Sequence, residues 1–319
     1  MSDPLSYRVR GKIILFGEHA VVYGVPALAV PVPRHLTLSI SEQDDGPLFE
    51  APCWEVSLKI GHPEAATERL DLALQRAIEL CPSEVGALRL LVDSDIPRSA
   101  GMGSSAALSV ALVRGLAGFT GETLSIEEEI KRALEIEKVF HGKPSGVDHS
   151  AVTLDRPIVF IKDQPPQTQL PLAKPLNFVV GVVGNHGETA GRVMSLAERR
   201  EALPQIHADL FEAIGQVANR ALRALGQGDP RLLGSLMDLN QGLLNALGVS
   251  SAATEQAVFA ARAAGALGAK LSGAGGGGAM LALCDGATAP VERALDELGW
   301  PSFVLRLVPD ERGFASVPE

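Results

Sequence analysis

DIPRSAGMGSSAA, residues 95–107, is the stretch that decides the fold. A strand-like run, residues 88–92, leads into a loop holding Pro97, Gly101 and Gly103. Ser104 and Ser105 then open an Ala-, Leu- and Val-rich segment that reads as a buried helix to about Phe119. Strand, glycine loop and helix in that order gather backbone N–H groups at the positive end of the helix dipole, which suits an anion. A polyphosphate is the ligand this predicts, with the serine hydroxyls in reach of it or of its metal.

Working outward, residues 35–41 and 55–60 read as strands joined by a polar turn, and 67–80 as a helix. Ser125 with Glu128 fits a capping box for a helix running to about Phe140, followed by a Gly/Pro loop, 141–148, and a strand near 157–161. Residues 163–175, DQPPQTQLPLAKP, read as a hinge, dividing the chain into domains 1–170 and 171–319. Beyond it come a strand (176–184), helices (193–226, 229–246, 251–265), a strand (279–284), a helix (289–298) and a last strand (302–307). The expectation is an α+β protein of two domains, with the phosphate loop in the first.

Bulk properties narrow the function. With 28 Lys plus Arg against 38 Asp plus Glu, the formal charge is −10, which argues against nucleic-acid and anionic-membrane partners. Three scattered cysteines with no CxxC pair read as free thiols in a reducing compartment. The apolar stretch 13–32 is interrupted by Glu18, His19, Gly24 and Pro26 and cannot span a bilayer. The N-terminus lacks the apolar run of a signal peptide, so a cytoplasmic location is expected.

Three further segments carry chemistry-bearing residues. GKIILFGEHAVVYG (11–24) places Lys12, Glu18 and His19 around an apolar strand at 13–16; a surface lysine and a satisfied buried pair are the plainer reading. In EKVFHGKPSGVD (137–148), Glu137 on a helix suits Mg²⁺ and Asp148 suits work on a hydroxyl. A solvated helix charge and a helix cap are the commoner fates of such isolated acids. His141 and His149 lack metal-ligand spacing and read as structural. KLSGAGGGGAMLALC (270–284) satisfies GxGxxG but precedes a strand, so it is no dinucleotide fingerprint. Its glycines suit close backbone approach. A P-loop lysine motif and the catalytic loops of protein kinases are both missing from the sequence.

Together GKIILFGEHAVVYG, PRSAGMGSSAA and KLSGAGGGGAM resemble, in order, the three motifs of the galactokinase, homoserine kinase, mevalonate kinase and phosphomevalonate kinase superfamily. GEHAVVYGVPALAV, HGKPSGVD and LNQGLLNALGVS (239–250) are most similar to its mevalonate kinase branch. The resemblance implies a ribosomal protein S5 domain 2-like N-terminal domain and a ferredoxin-like C-terminal domain, with an active site in the cleft between them. It implies ATP-dependent phosphorylation of the 5-hydroxyl of (R)-mevalonate, in a protein compatible with a homodimer. Asp148 would be the catalytic base or the orienting carboxylate for the substrate hydroxyl, with Lys12 beside it. Lys12, Glu18, His19 and Thr189 would bind substrate, and Ser105 and Glu137 would hold Mg²⁺. Pro97, Ala100, Gly101, Met102, Gly103, Ser104, Ser105 and Ala106 would cradle ATP.

Arg10 and Met102 stand where the family usually has Pro and Leu, and the basic residues common around Thr189 are missing. Kinases of phosphomevalonate, of homoserine or of the 3-hydroxyl of mevalonate are the alternative enzymes. A non-catalytic binding protein on the same fold would be expected to have lost Lys12, Glu137 or Asp148.

Overall fold

The computed structural model describes residues 4–62, 64–83, 85–184, 195–310 and 313–317. The chain is α+β, with its strands in two sheets. It gathers into two compact units, residues 1–11, 34–96 and 103–155 in one and residues 12–33, 97–102 and 156–319 in the other. Two long strands, β1 (Leu5–Phe16) and β2 (Ala27–Glu42), contribute residues to both. The sequence pattern exposes only the last four residues of β1, because its outer half carries Tyr7, Arg8 and Arg10 and lacks an apolar run.

In the first unit the outer half of β2 alternates buried Leu36, Leu38 and Ile40 with Thr37, Ser39 and Ser41. That period of two leaves one face for a core. The strands β3 (Leu48–Ala51), β4 (Val56–Lys59) and β5 (Leu88–Ser94) extend the sheet. β5 pairs antiparallel with β2 from Leu36↔Ser94 to Glu42↔Leu88 and parallel with β3. β3 lies inside the expected polar turn, being too short to show a period. Helices α1 (Glu68–Glu79), α2 (Ser104–Thr120), α3 (Ile126–His141) and α4 (Val147–Leu154) complete the unit. α2 is buried on most faces, as its composition predicts, and sits close on the sheet: a Cβ at Gly115 would lie 2.6 Å from Ile40 Cδ1. Ser125 Oγ accepts the Glu128 N–H at 3.2 Å and starts α3. The expected loop 141–148 stops short, because Gly146 at φ +101° turns the chain into α4.

In the second unit β6 (Ile158–Phe160) pairs antiparallel with the inner half of β2. Residues 163–175 form no helix or strand, and Gln167 makes a bridge to Val159. The elements that follow are β7 (Leu176–Val183), α5 (Leu196–Ala202), α6 (Pro204–Gln227), α7 (Pro230–Ala246) and α8 (Ala252–Ala263). They continue with β8 (Gly268–Leu271), β9 (Gly278–Cys284), α9 (Ala289–Asp296), β10 (Ser302–Asp310) and β11 (Gly313–Val317). The sheet is antiparallel throughout, in the order β11-β10-β7-β9-β8. Val179, Val183 and Met280 from its strands pack with Val258 and Ala261 of α8 and with Val291 and Leu295 of α9. Fully burying each such aliphatic side chain contributes roughly 1.5–3 kcal/mol.

Two expectations need correcting. The helix expected over 193–226 is broken at Leu203 (φ −135°, ψ 64°), because Pro204 excludes its predecessor from helical geometry and opens α6 instead. The last strand is not 302–307: β10 continues to Asp310 and pairs with β11, from Arg306↔Val317 to Asp310↔Gly313. No helix among the described residues is long and apolar enough to cross a membrane.

Candidate active site

The residues that could manage phosphate in the first unit gather at the start of α2. Gly103 caps the helix at φ +74°, leaving the N–H groups of its first turn free of helical partners and Ser104 and Ser105 partly exposed. Ser105 and Ser109 lie one turn apart on α2, as Glu137 and His141 do on α3, so two stripes of polar side chains meet. Ser105 Oγ lies 3.0 Å from His141 Nε2. The Glu137 carboxyl, with 1% of its surface exposed, accepts from Ser109 Oγ at 3.2 Å and has His141 Nε2 at 3.8 Å.

A hydroxyl and a buried carboxylate are the hard oxygen donors that Mg²⁺ prefers, so this pair fits such an ion. No group of three or more His, Cys, Asp or Glu side chains suited to a metal occurs among the described residues.

Asp148 stands half-buried in the first turn of α4, and its neighbour His149 is buried. Burial pushes the His149 imidazole down to about 4, against a weaker upward pull from Asp148. Its Nδ1 and the hydroxyl of Thr153 are buried without partners among the described residues. His149 therefore stays neutral in the fold, while an unfolded chain would protonate it below about 6.5. Stability should fall as pH drops from 6.5 towards 4, by on the order of 3 kcal/mol from this group. Urea unfolding across that window should show a smaller acid loss for His149→Gln; an equal loss would refute the assignment.

In the second unit Lys12 is buried, and its Nζ donates to the Gly101 carbonyl at 3.0 Å. The Lys12 N–H donates to Met102 O at 2.9 Å. Ala279 N–H reaches Ala100 O at 2.8 Å, and a Cβ at Gly273 would lie 3.3 Å from Gly101 Cα. The glycine run thus packs directly on residues 100–101, as its composition predicts. It joins β8 to β9, strand to strand, and so lacks the setting of a dinucleotide fingerprint. Gly275 has φ +78°, and a Cβ there would lie 2.0 Å from Val249 O. Pro97 is partly buried in the same segment.

Glu18 is fully buried. Lys270 Nζ donates to Glu18 Oε1, and Asn240 Nδ2 donates to Glu18 Oε2 at 3.1 Å. His19, next in sequence, is half-buried. Burial lowers its imidazole below the ordinary value, with Glu18 and the Ala274 backbone pulling it back up. Its Nε2 has no partner among the described residues.

Sequence reasoning missed His141, Ser109, Lys270 and Asn240. The four-residue spacings of Ser105 with Ser109 and of Glu137 with His141 were the available signal for two of them. Nothing local marks Lys270 or Asn240 as partners of Glu18, 252 and 222 residues away. Thr189, with its neighbours His186 and Arg192, lies outside the described residues.

Comparison with known proteins extends the geometry. Residues 68–156 match the family described as GHMP kinases N terminal domain, and residues 221–299 match GHMP kinases C terminal. A mevalonate kinase of Methanothermobacter thermautotrophicus is 36% identical, across 89% of this chain and 92% of that one. The crystal structure of Methanococcus jannaschii mevalonate kinase superposes with a TM-score of 0.80 at 25% identity, covering 97% of this chain and 99% of that chain. The L. major mevalonate kinase, solved in complex with R-mevalonate, gives a TM-score of 0.77 at 27% identity, over 93% and 94% of the two chains.

Proposed function

The chain belongs to the GHMP kinase family, and on that premise we propose that it transfers the γ-phosphoryl group of ATP to the 5-hydroxyl of (R)-mevalonate. The observation that carries the substrate is likeness to mevalonate kinases along nearly the whole chain. The supporting chemistry is phosphoryl transfer, which asks a protein mainly for positioning and for offsetting charge.

In this reading Asp148 orients the substrate hydroxyl and takes its proton as the bond to phosphorus forms. Lys12 meets the charge that develops on the transferring group; its anchorage to Gly101 O fixes where the ammonium sits. Pro97, Ala100, Gly101, Met102, Gly103, Ser104, Ser105 and Ala106 receive the phosphates, helped by the first-turn N–H groups of α2. Ser105 and Glu137 are the residues that would hold Mg²⁺, whose charge offsets that of the phosphates. His19 offers Nε2 to mevalonate. Thr189 belongs to the same proposed substrate-binding set, and Glu18 serves that set through its neighbour His19. The division at about residue 170, a cytoplasmic location, a role in isoprenoid and lipid metabolism, and a homodimer belong to the same proposal.

An ADP-release assay with ATP and Mg²⁺ across mevalonate, phosphomevalonate, homoserine and galactose tests it. Mevalonate should give the highest kcat/KM, and removal of Mg²⁺ by chelation should stop turnover. Inert mevalonate beside clear turnover of another alcohol would sink the proposal.

A further inference from the structure

Glu18, Lys270 and Asn240 form a charged cluster closed to solvent, drawn from the turn after β1, from β8 and from α7. Lys270 Nζ also donates to Leu271 O at 2.7 Å and lies 5.8 Å from the centre of the Phe16 ring. Gln241, beside Asn240, accepts the Leu271 N–H at 2.8 Å and Asp238 accepts the Ala269 N–H at 2.9 Å, so α7 grips β8 twice. Both oxygens of the Glu18 carboxylate are therefore engaged, and it cannot reach a substrate without breaking these bonds.

Stability does not explain such a pair, since apolar residues of similar volume often do as well or better in the same place. The pair does fix geometry. His19 follows Glu18 directly and sits at φ 60°, ψ −40°, where a side-chain-bearing residue is rarely found. Ala20 N–H turns back onto Glu18 O at 2.6 Å. The Ala274 backbone, four residues beyond Lys270 on the β8–β9 connection, lies near enough to the His19 imidazole to favour its protonation. The cluster thus ties down both the residue before His19 and the strand leading to Ala274.

We propose that the Glu18–Lys270–Asn240 cluster is a positioning device that holds the His19 imidazole aimed at substrate, Glu18 itself touching none. This rests on the reading of His19 as a mevalonate contact. It makes Lys270 and Asn240 determinants of substrate affinity, and Glu18 one at second hand.

The deciding variant is the double replacement Glu18→Gln with Lys270→Met, compared with each single change. A single change strands one buried charge and should lower the melting temperature. The double leaves none stranded and should melt near wild type. Its KM for mevalonate should nevertheless stay raised by about tenfold, with KM for ATP unchanged, because the tether is gone. The ring ¹⁵N signals of His19 in the ligand-free double variant should move from their wild-type positions. Wild-type KM and His19 signals in the stable double variant would overturn the proposal. So would a loss of kcat at unchanged KM, which would mean that Glu18 works on the reaction itself. A wild-type protein inert towards mevalonate would defeat the functional reading alone, since the His19 signals still decide whether the cluster positions the ring.

Discussion

Asp148→Asn is expected to lower kcat by about 10²–10⁴-fold, the usual contribution of a positioned base, while ATP still binds. Asn matches Asp in shape and also suits the start of a helix, so α4 keeps its N-terminal turn. The carboxylate's place at the positive end of the α4 dipole is worth about 0.3–1 kcal/mol, far less than the kinetic effect demands. Steady-state kinetics beside a thermal melt separate the two. A variant that melts like wild type and still turns over would show that Asp148 is not the base.

Lys12→Met should cost about 10²–10³-fold in kcat, the scale on which removing one pre-placed donor to a developing charge is felt. Met preserves most of the length and apolar contact of the Lys12 stem within its buried setting. The carbonyl of Gly101 loses the ammonium as a donor, at about 1–3 kcal/mol if it finds no other. The variant should therefore melt somewhat earlier than wild type, yet remain folded at assay temperature. Near-wild-type kcat would remove Lys12 from the chemistry and leave it as a strut for the 97–102 segment.

How much of this was legible depended on how local each cause was. The loop at 95–107 could be read because glycine, hydroxyl and buried-helix signals sit side by side. Ser125 could be read because its cap needs only Glu128, three residues on. α4 was hidden behind Pro144 and Gly146, whose turn signals outweigh eight following residues. β3 has four residues, too few to show a period, and pairs with β4 close by as well as with β5 far along the chain. Within the site, the pairing of Lys12 with Gly101 and that of Glu18 with Lys270 are long-range facts that no window of sequence contains. His141 read as structural by the rule of metal-ligand spacing, yet it lies against Ser105 on another helix.

The distance between Glu18 and Lys270 along the chain has a consequence for synthesis. Every residue of the first unit has been made once Asp155 is added, so that unit can complete itself early. The segment 12–33 belongs to the second unit and must wait for residues far downstream. With 252 residues between the two charges and about 5–20 residues added per second, Glu18 spends roughly 10–50 s on the ribosome before its partner exists. During that interval the apolar run 13–16 lacks its partners in the later half of the chain. A newborn chain is thus open to chaperone capture or aggregation around residues 13–16.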